Sequence, residues 1–323
     1  MKLALCFLIS GDHILNKEHI WIKWIEEFGK HNVNVYFHYK DYNKIKSEWI
    51  QNHAIPPKYI VPTSYFHVVP AYISILQFAL NHDQQNQWFC MLTDSCVPII
   101  SPLKCREMFL SNYNYSIFNW KKPWWNMQLC KRANLHLLPP DLQLGHDPWF
   151  VLKRQDVRYI MTWSSSPHTR QIYNTVCSGG LANESIFAVI FYLMGLLGRD
   201  YMLQYTTHLT DWTRADSSTS PHVFKLEDED NDGKKQQEDI LVICEQLSQN
   251  KYAMFLRKVA PSFPDSILEE IIYTDFNKER RREKVWMMEL KMQLYLFLMK
   301  NKYCQAGYVG IGLFCVYMFF KYF

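Results

Sequence analysis

No two of the nine cysteines form a CxxC pair, and none of the twelve histidines is joined to another by an HxxxH spacing. The two commonest short signatures of a zinc or dithiol site are therefore missing. Charge of one sign is scarce as well: 35 Lys and Arg against 31 Asp and Glu leave a net +4, too little for a polyanion-binding surface unless it is clustered, so nucleic acid is not an expected partner. The start of the chain has no signal-peptide pattern, because its apolar run reaches only from Leu3 to Ile9 and no small-residue cleavage site follows. Cys6 and Cys90 fall inside apolar runs, where a thiol behaves as a small hydrophobe. Nothing demands a disulfide framework, and a pair such as Cys130 with Cys177 is left open.

What is present is ample apolar material. At 323 residues, with 48% hydrophobic and 16% aromatic residues, the chain can bury the core of a large α/β domain and carry appendages. Lys2–Ser10 reads as a strand broken by Gly11. Ile20, Trp21, Trp24, Ile25 and Phe28 recur at helical spacing, and the alternation in Val33–His38 returns to a strand. After a Pro-rich loop at 55–63, Ala71, Ile75, Phe78 and Ala79 mark a helix over 69–80. Trp88–Leu92, bounded by a polar stretch and Pro98, is the most hydrophobic strand. Strand, helix, strand at this spacing predicts an α/β fold: a mostly parallel central sheet of Rossmann type, its nucleotide-binding half within residues 1–100.

In such sheets ligands meet the carboxyl ends of the strands. Thr93 and Asp94 stand at the tip of the central strand, where Asp94 either caps the turn or faces a substrate. Residues 113–125 carry Tyr113, Tyr115, Phe118, Trp120, Trp124 and Trp125, a composition that serves either core packing or stacking on sugar rings. Asp147 precedes a second apolar strand, Trp149–Leu152, and a helix over 156–163. Gly179-Gly180-Leu181-Ala182-Asn183-Glu184 leads into an apolar run from Ile186 to Leu197 that reads as a buried helix. Asn183 is then the expected N-cap and Glu184 falls in the first turn, where the helix dipole favours an ionised carboxylate. That placement suits a structural helix end and a general base alike. Residues 226–238, LEDEDNDGKKQQE, read as a solvated acidic loop. Its Asp228-Glu229-Asp230 has the letters of a DxD metal motif but not the strand-end position such a motif needs. Arg257 and Lys258 are adjacent cations following an apolar run.

The ordered fragments LISG, VYFHY, WFCMLTDSCVPIIS, GHDPWFVLKR, NES, LTDW with SPHVF, and FLRKVAPSF together resemble the core-2/I-branching glycosyltransferases, over about residues 1–265. The resemblance implies a GT-A-like, nucleotide-sugar-binding fold and inverting, metal-independent transfer of a sugar from a UDP-sugar to a hydroxyl of a glycan or glycoprotein. N-acetylglucosamine is the usual sugar, and no cofactor beyond the donor is implied. The catalytic glutamate of the family's Pro-Asp-Glu motif matches Glu184, with Ala182-Asn183 in place of Pro-Asp. The family's TD or SE pair matches Thr93-Asp94. The basic residue that contacts the diphosphate matches Lys258, with Arg257 beside it and Val259 in place of the usual Phe. No clear WG motif precedes the helix at 70, since His67 and Val68 stand there. Trp149, Asp147 and Trp212 are the expected acceptor contacts. The rival reading is a catalytically inactive, membrane-attached carbohydrate-binding or scaffold protein on the same fold.

Beyond this domain, 266–302 is expected to be a charged helical stalk with a basic cluster at Lys278–Lys284. Tyr303–Phe320 holds no charged residue, and its length suits a single-pass transmembrane anchor. Lys300, Lys302 and the basic cluster would leave the catalytic domain facing the cytosol, whereas the resemblance implies the secretory pathway.

Overall fold

A computed structural model describes residues 1–198, 200–215, 217, 220–226 and 234–274. The expected stalk beyond 274, the anchor at 303–320 and Asp228-Glu229-Asp230 lie outside the described residues. The chain divides into two compact units, one comprising Met1–Leu226 and Glu245–Asp275, the other Glu227–Cys244 and Phe276–Phe323.

In chain order the elements are β1 (Lys2–Leu8), α1 (Glu18–Gly29), β2 (Val33–His38), α2 (Glu48–His53), α3 (Val69–His82) and β3 (Asn86–Thr93). There follow β4 (Val97–Pro98), α4 (Pro102–Asn112), β5 (Ser116–Ile117), β6 (Trp120–Lys121), β7 (Gly145–His146) and β8 (Val151–Lys153). Next come α5 (Arg154–Ser165), α6 (Arg170–Cys177), α7 (Ile186–Leu193), β9 (Met202–Leu203), β10 (His208–Leu209), α8 (Lys234–Gln249), β11 (Phe255–Leu256) and α9 (Asp265–Tyr273).

The main sheet runs β2-β1-β3-β8-β5-β9. β1 is parallel to β2 and β3, β5 is parallel to β9, and β8 alone runs against both its neighbours. The fold is thus α/β with a mostly parallel central sheet, as the alternation of strands and helices predicts. Alternate residues of β1 serve two buried faces. Ala4 and Cys6 join the core beneath α3, α5 and α7, together with Tyr36, Ile75, Phe89, Phe150 and Phe187. Phe7 on the other face meets Trp21 edge-on at 5.0 Å, and Trp24 stacks on Phe28 at 5.4 Å. The indole N–H groups of Trp21 and Trp24 donate to the carbonyls of Cys96 and Ile100 at 2.9 Å. These bonds fix α1 against the chain that leaves the tip of β3, since a buried N–H without an acceptor would be costly.

Several expectations need correction. The strand expected at 149–152 begins later, because Pro148 has no N–H and the Trp149 side chain is turned to Arg257; pairing starts with Phe150, whose carbonyl accepts the Met91 N–H at 3.0 Å. The supposed acidic loop is helical from Lys234 onward. Lys and Gln are good helix formers, and Ile243 and Leu247, one turn apart, are buried. The helix expected from 186 to 197 ends at Leu193, after which the chain turns and Gly195 takes a left-handed φ of 64°. Cys177 is a free thiol. Cys6 and Cys90 are fully buried, as their apolar surroundings predict.

A second sheet, β10-β11-β4, and the β6-β7 pair complete the architecture around the carboxyl ends of the main strands.

Candidate functional site

A cavity of about 530 Å³ opens at the carboxyl ends of β1, β2 and β3. Its floor is made by Ser10, His38, Thr93 and Asp94, each at or just beyond a strand end. The Asp94 carboxylate reaches across to the end of β1 rather than capping its own turn: Oδ2 accepts the Ser10 N–H at 2.8 Å, and the Asp94 carbonyl accepts the Asn16 N–H at 2.8 Å. The ends of β1 and β3 are therefore tied together by one residue. The chain after β11 is stitched to the same place, since the Val259 N–H donates to the Ser95 carbonyl at 2.9 Å and Asn16 Nδ2 donates to the Val259 carbonyl at 2.7 Å.

That stitching brings Arg257 and Lys258 to the cavity wall. Arg257 Nε donates to Thr93 Oγ1 at 3.2 Å, and its guanidinium lies 3.8 Å from the centre of the Trp149 ring. This stacking fixes the cation's plane while leaving it charged. Lys258 Nζ donates to Ser220 Oγ at 2.8 Å.

Glu184 lines the same cavity from another wall. It ends a 3-10 turn, Ala182–Glu184, one residue before Ser185, the residue that precedes α7. Asn183 makes no capping bond, so the expected first-turn placement is corrected: Glu184 is outside the helix. The turn is hung from its surroundings rather than from α7. The Leu181 N–H donates to the Phe66 carbonyl at 2.9 Å, and the Ala133 N–H donates to the Gly180 carbonyl at 2.7 Å. Gly179 passes so close to the backbone of Lys131, Ala133 and Asn134 that a Cβ has no room.

Electrostatically, burial dominates and pushes the Glu184 carboxyl above its usual range. Arg132 opposes the rise by charge and by hydrogen bond, the nearby Asp147 charge adds to it, and Arg257 lowers it slightly. The sign is opposite to that expected from a helix dipole, because the carboxylate is desolvated and lies outside the helix. Arg132 Nη2 donates to Glu184 Oε2 in an ion pair whose side chains are only 10% and 17% exposed. The guanidinium also sits 4.1 Å from the Trp125 ring centre. Sequence reasoning missed Arg132. Tyr72, which lines the cavity and donates its hydroxyl to the Pro148 carbonyl at 3.0 Å, was missed as well, and the buried Oδ1 of Asn183, the expected N-cap, has no partner among the described residues.

The three expected acceptor contacts divide between two cavities. Trp149 lines the first, Asp147 lines a second of about 440 Å³, and Trp212 stands in the wall of both. Asp147 Oδ2 accepts from Asn119 Nδ2 at 2.8 Å and from Thr206 Oγ1 at 2.6 Å. Among the described residues no group of three or more His, Cys, Asp or Glu side chains is placed to hold a metal ion.

A carboxylate and two cations lining one cavity is an arrangement able to deprotonate a hydroxyl while stabilising an anionic leaving group. The sequence profile of the core-2/I-branching enzymes matches residues 5–233. The chain belongs to the core-2/I-branching enzyme family. These enzymes are glycosyltransferases, which use a sugar donor and a glycan acceptor. The match to the core-2/I-branching profile contains Thr93, Asp94, Asp147, Trp149, Glu184 and Trp212, while Arg257 and Lys258 lie beyond it. The observed α/β sheet agrees with the GT-A-like fold that the family resemblance implies. No curated protein matches the sequence. Among solved structures, the crystal structure of 4-diphosphocytidyl-2C-methyl-D-erythritolsynthase from Anaerococcus prevotii DSM 20548 aligns over 61% of this chain and 99% of that one, at 11% identity and a TM-score of 0.29.

Proposed function

We propose that this core-2/I-branching enzyme is an inverting glycosyltransferase that moves a sugar, with N-acetylglucosamine the first to test, from a UDP-sugar to a hydroxyl of a glycan or glycoprotein. The observation that carries the reading is that Glu184 and the Arg257-Lys258 pair, far apart in sequence, line one cavity at the carboxyl ends of the main strands together with Thr93 and Asp94. The acceptor oxygen attacks the anomeric carbon, its proton passes to the Glu184 carboxylate, and the glycosidic electron pair leaves with the diphosphate. One carboxylate is sufficient for a single displacement with inversion, because no covalent glycosyl intermediate has to form. Arg257 and Lys258 take the role a divalent cation would otherwise play at the departing diphosphate. Burial, which raises the carboxyl's proton affinity, makes Glu184 a stronger base once it is ionised.

The test is UDP release from a panel of UDP-sugars and acceptors by purified protein, with and without EDTA. Turnover is expected in EDTA, and Glu184→Gln should lower it by roughly 10²-fold or more while UDP binding persists. Equal turnover in the variant would remove Glu184 from the chemistry. UDP binding without consumption of any UDP-sugar would favour a binding or scaffold protein instead.

A further inference from the structure

The second cavity is absorbed by no step of the transfer reaction. It shares Trp212 with the cavity that holds Glu184 and is lined mainly by rings and uncharged polar groups. Trp124, Tyr205 and Trp212 are 50%, 45% and 50% exposed, unusually open for rings of this size. Among them are the amides of Gln246 and Asn250 and the hydroxyl of Thr210. The two charged residues in its wall are of opposite sign: Lys121 Nζ lies 4.0 Å from the centre of the Trp124 ring, and Asp147 accepts from Asn119 and Thr206.

A further sign of an absent partner comes from His208. Its ring is buried in the cavity wall, packed against Phe255 with centroids 4.9 Å apart. Nδ1 shares a 3.0 Å hydrogen bond with Thr207 Oγ1, yet Nε2 has no partner among the described residues. Burial holds the imidazole neutral. A buried ring nitrogen without a partner is costly unless a ligand or water supplies one.

We propose that this cavity binds the non-reacting units of an extended neutral oligosaccharide acceptor, whose reacting hydroxyl lies across Trp212 at Glu184. The chemistry selects this class. The apolar face of a sugar ring stacks on exposed indole and phenol rings, while its hydroxyls pair with amide and hydroxyl groups that both donate and accept. An anionic glycan or an acidic peptide would meet a single lysine, Lys121, with the Asp147 carboxylate in the same wall, and an apolar ligand would leave the amides without partners. The cavity's size falls within the range of about 300–1,000 Å³ common to small-ligand sites. The proposal rests on the transferase reading for the direction in which the chain lies, but not for the existence of the subsite.

The experiment has two readouts on the full chain. Binding is measured by calorimetry and on an array of neutral mono- to tetrasaccharides from the chito-, malto-, galacto- and lactosamine series, with sialylated and sulfated counterparts as controls. Transfer is measured as kcat/KM over the series that reacts. For at least one neutral series, affinity and kcat/KM should rise about tenfold or more from mono- to tetrasaccharide. Tyr205→Ala and Trp124→Ala, both at exposed positions, should each flatten that rise, with UDP binding followed alongside as the check of folding. Length-independent binding, a rise that survives both substitutions, or preference for the anionic counterparts overturns the proposal. If no acceptor reacts but length-dependent binding maps to these residues, the transferase reading falls and the subsite stands. If transfer occurs equally well to short and long acceptors, the reverse holds.

Discussion

Replacing Arg132 by Gln should move the acid limb of the kcat/KM profile to higher pH. In the native protein burial raises the Glu184 carboxyl, Asp147 raises it further, and Arg132 opposes both. With the cation gone the first two act with less opposition, so at any given pH a smaller fraction of Glu184 is ionised and able to take a proton. A neighbouring opposite charge typically holds a carboxyl down by about 1–3 pH units, so the limb should rise by at least about one, equivalent to about 1.36 kcal/mol. The pair is mostly shielded from water, so solvent screening should not erase the effect.

Stability carries the same sign. A carboxyl whose folded-state proton affinity is raised favours the fold fully below its unfolded pKa, about 4.3 for Glu, and loses that contribution as pH rises through the folded value. The variant's stability relative to native protein, read from the urea midpoints, should therefore fall as pH rises, the deficit growing toward the roughly 3–5 kcal/mol typical of stranding a buried charge. Arg132→Lys keeps the charge and should hold the limb near its native position. The assay is steady-state kinetics from pH 5 to 9 with urea melts at the same pH values. An acid limb in Arg132→Gln that coincides with the native one, or moves to lower pH, would refute the coupling.

The remaining predictions concern the diphosphate, the turn and the membrane. Lys258→Ala should weaken UDP binding by roughly tenfold or more, the scale of one charge-assisted hydrogen bond, while a strict manganese requirement for native turnover would contradict the assignment of the two cations. Gly179→Ala forces a methyl group into the backbone of Lys131, Ala133 and Asn134. It should cost about 1–3 kcal/mol, seen as a fall of several degrees in Tm, with turnover reduced because the Glu184 turn is displaced; an unchanged Tm would show that the loop yields freely. Tyr303–Phe320 is proposed to anchor the protein to a membrane. Full-length protein should resist carbonate extraction and a truncation ending at Lys302 should not, whereas a monodisperse full-length protein without detergent would count against the anchor.

The strands and the first helices were legible because they obey simple periods: β1 and β3 are apolar on both faces, and α1 repeats its tryptophans at one-turn spacing. Glu184, Asp94 and the Arg257-Lys258 pair were legible as candidates at element ends, helped by their order along the chain, and they line one cavity. Arg132 was not, because it lies in a 3-10 stretch with no apolar period, and its partner is far away in sequence. The direction of the Glu184 shift was hidden for a related reason. A helix dipole can be inferred from local spacing, whereas desolvation depends on what the rest of the chain packs around the carboxyl. The antiparallel direction of β8 was not legible either, since three residues of strand carry no mark of it.

The pairing order of the small sheet bears on where the self-standing folding unit stops. β11 is its middle strand, between β10 and β4, and Val259, just after it, donates its N–H to the Ser95 carbonyl and accepts from the Asn16 side-chain amide. A fragment cut where the family profile ends, at residue 233, would strip that sheet of its centre, leave two unpaired edges of apolar backbone, and free the tip of β3 from one of its ties. Such a fragment would be prone to aggregate rather than merely be inactive. The minimal unit for expression therefore runs past β11 and through α9, where Lys17, on the loop before α1, reaches Asp265 at 2.7 Å and the Pro261 carbonyl at 2.6 Å and so joins the two ends of the described chain.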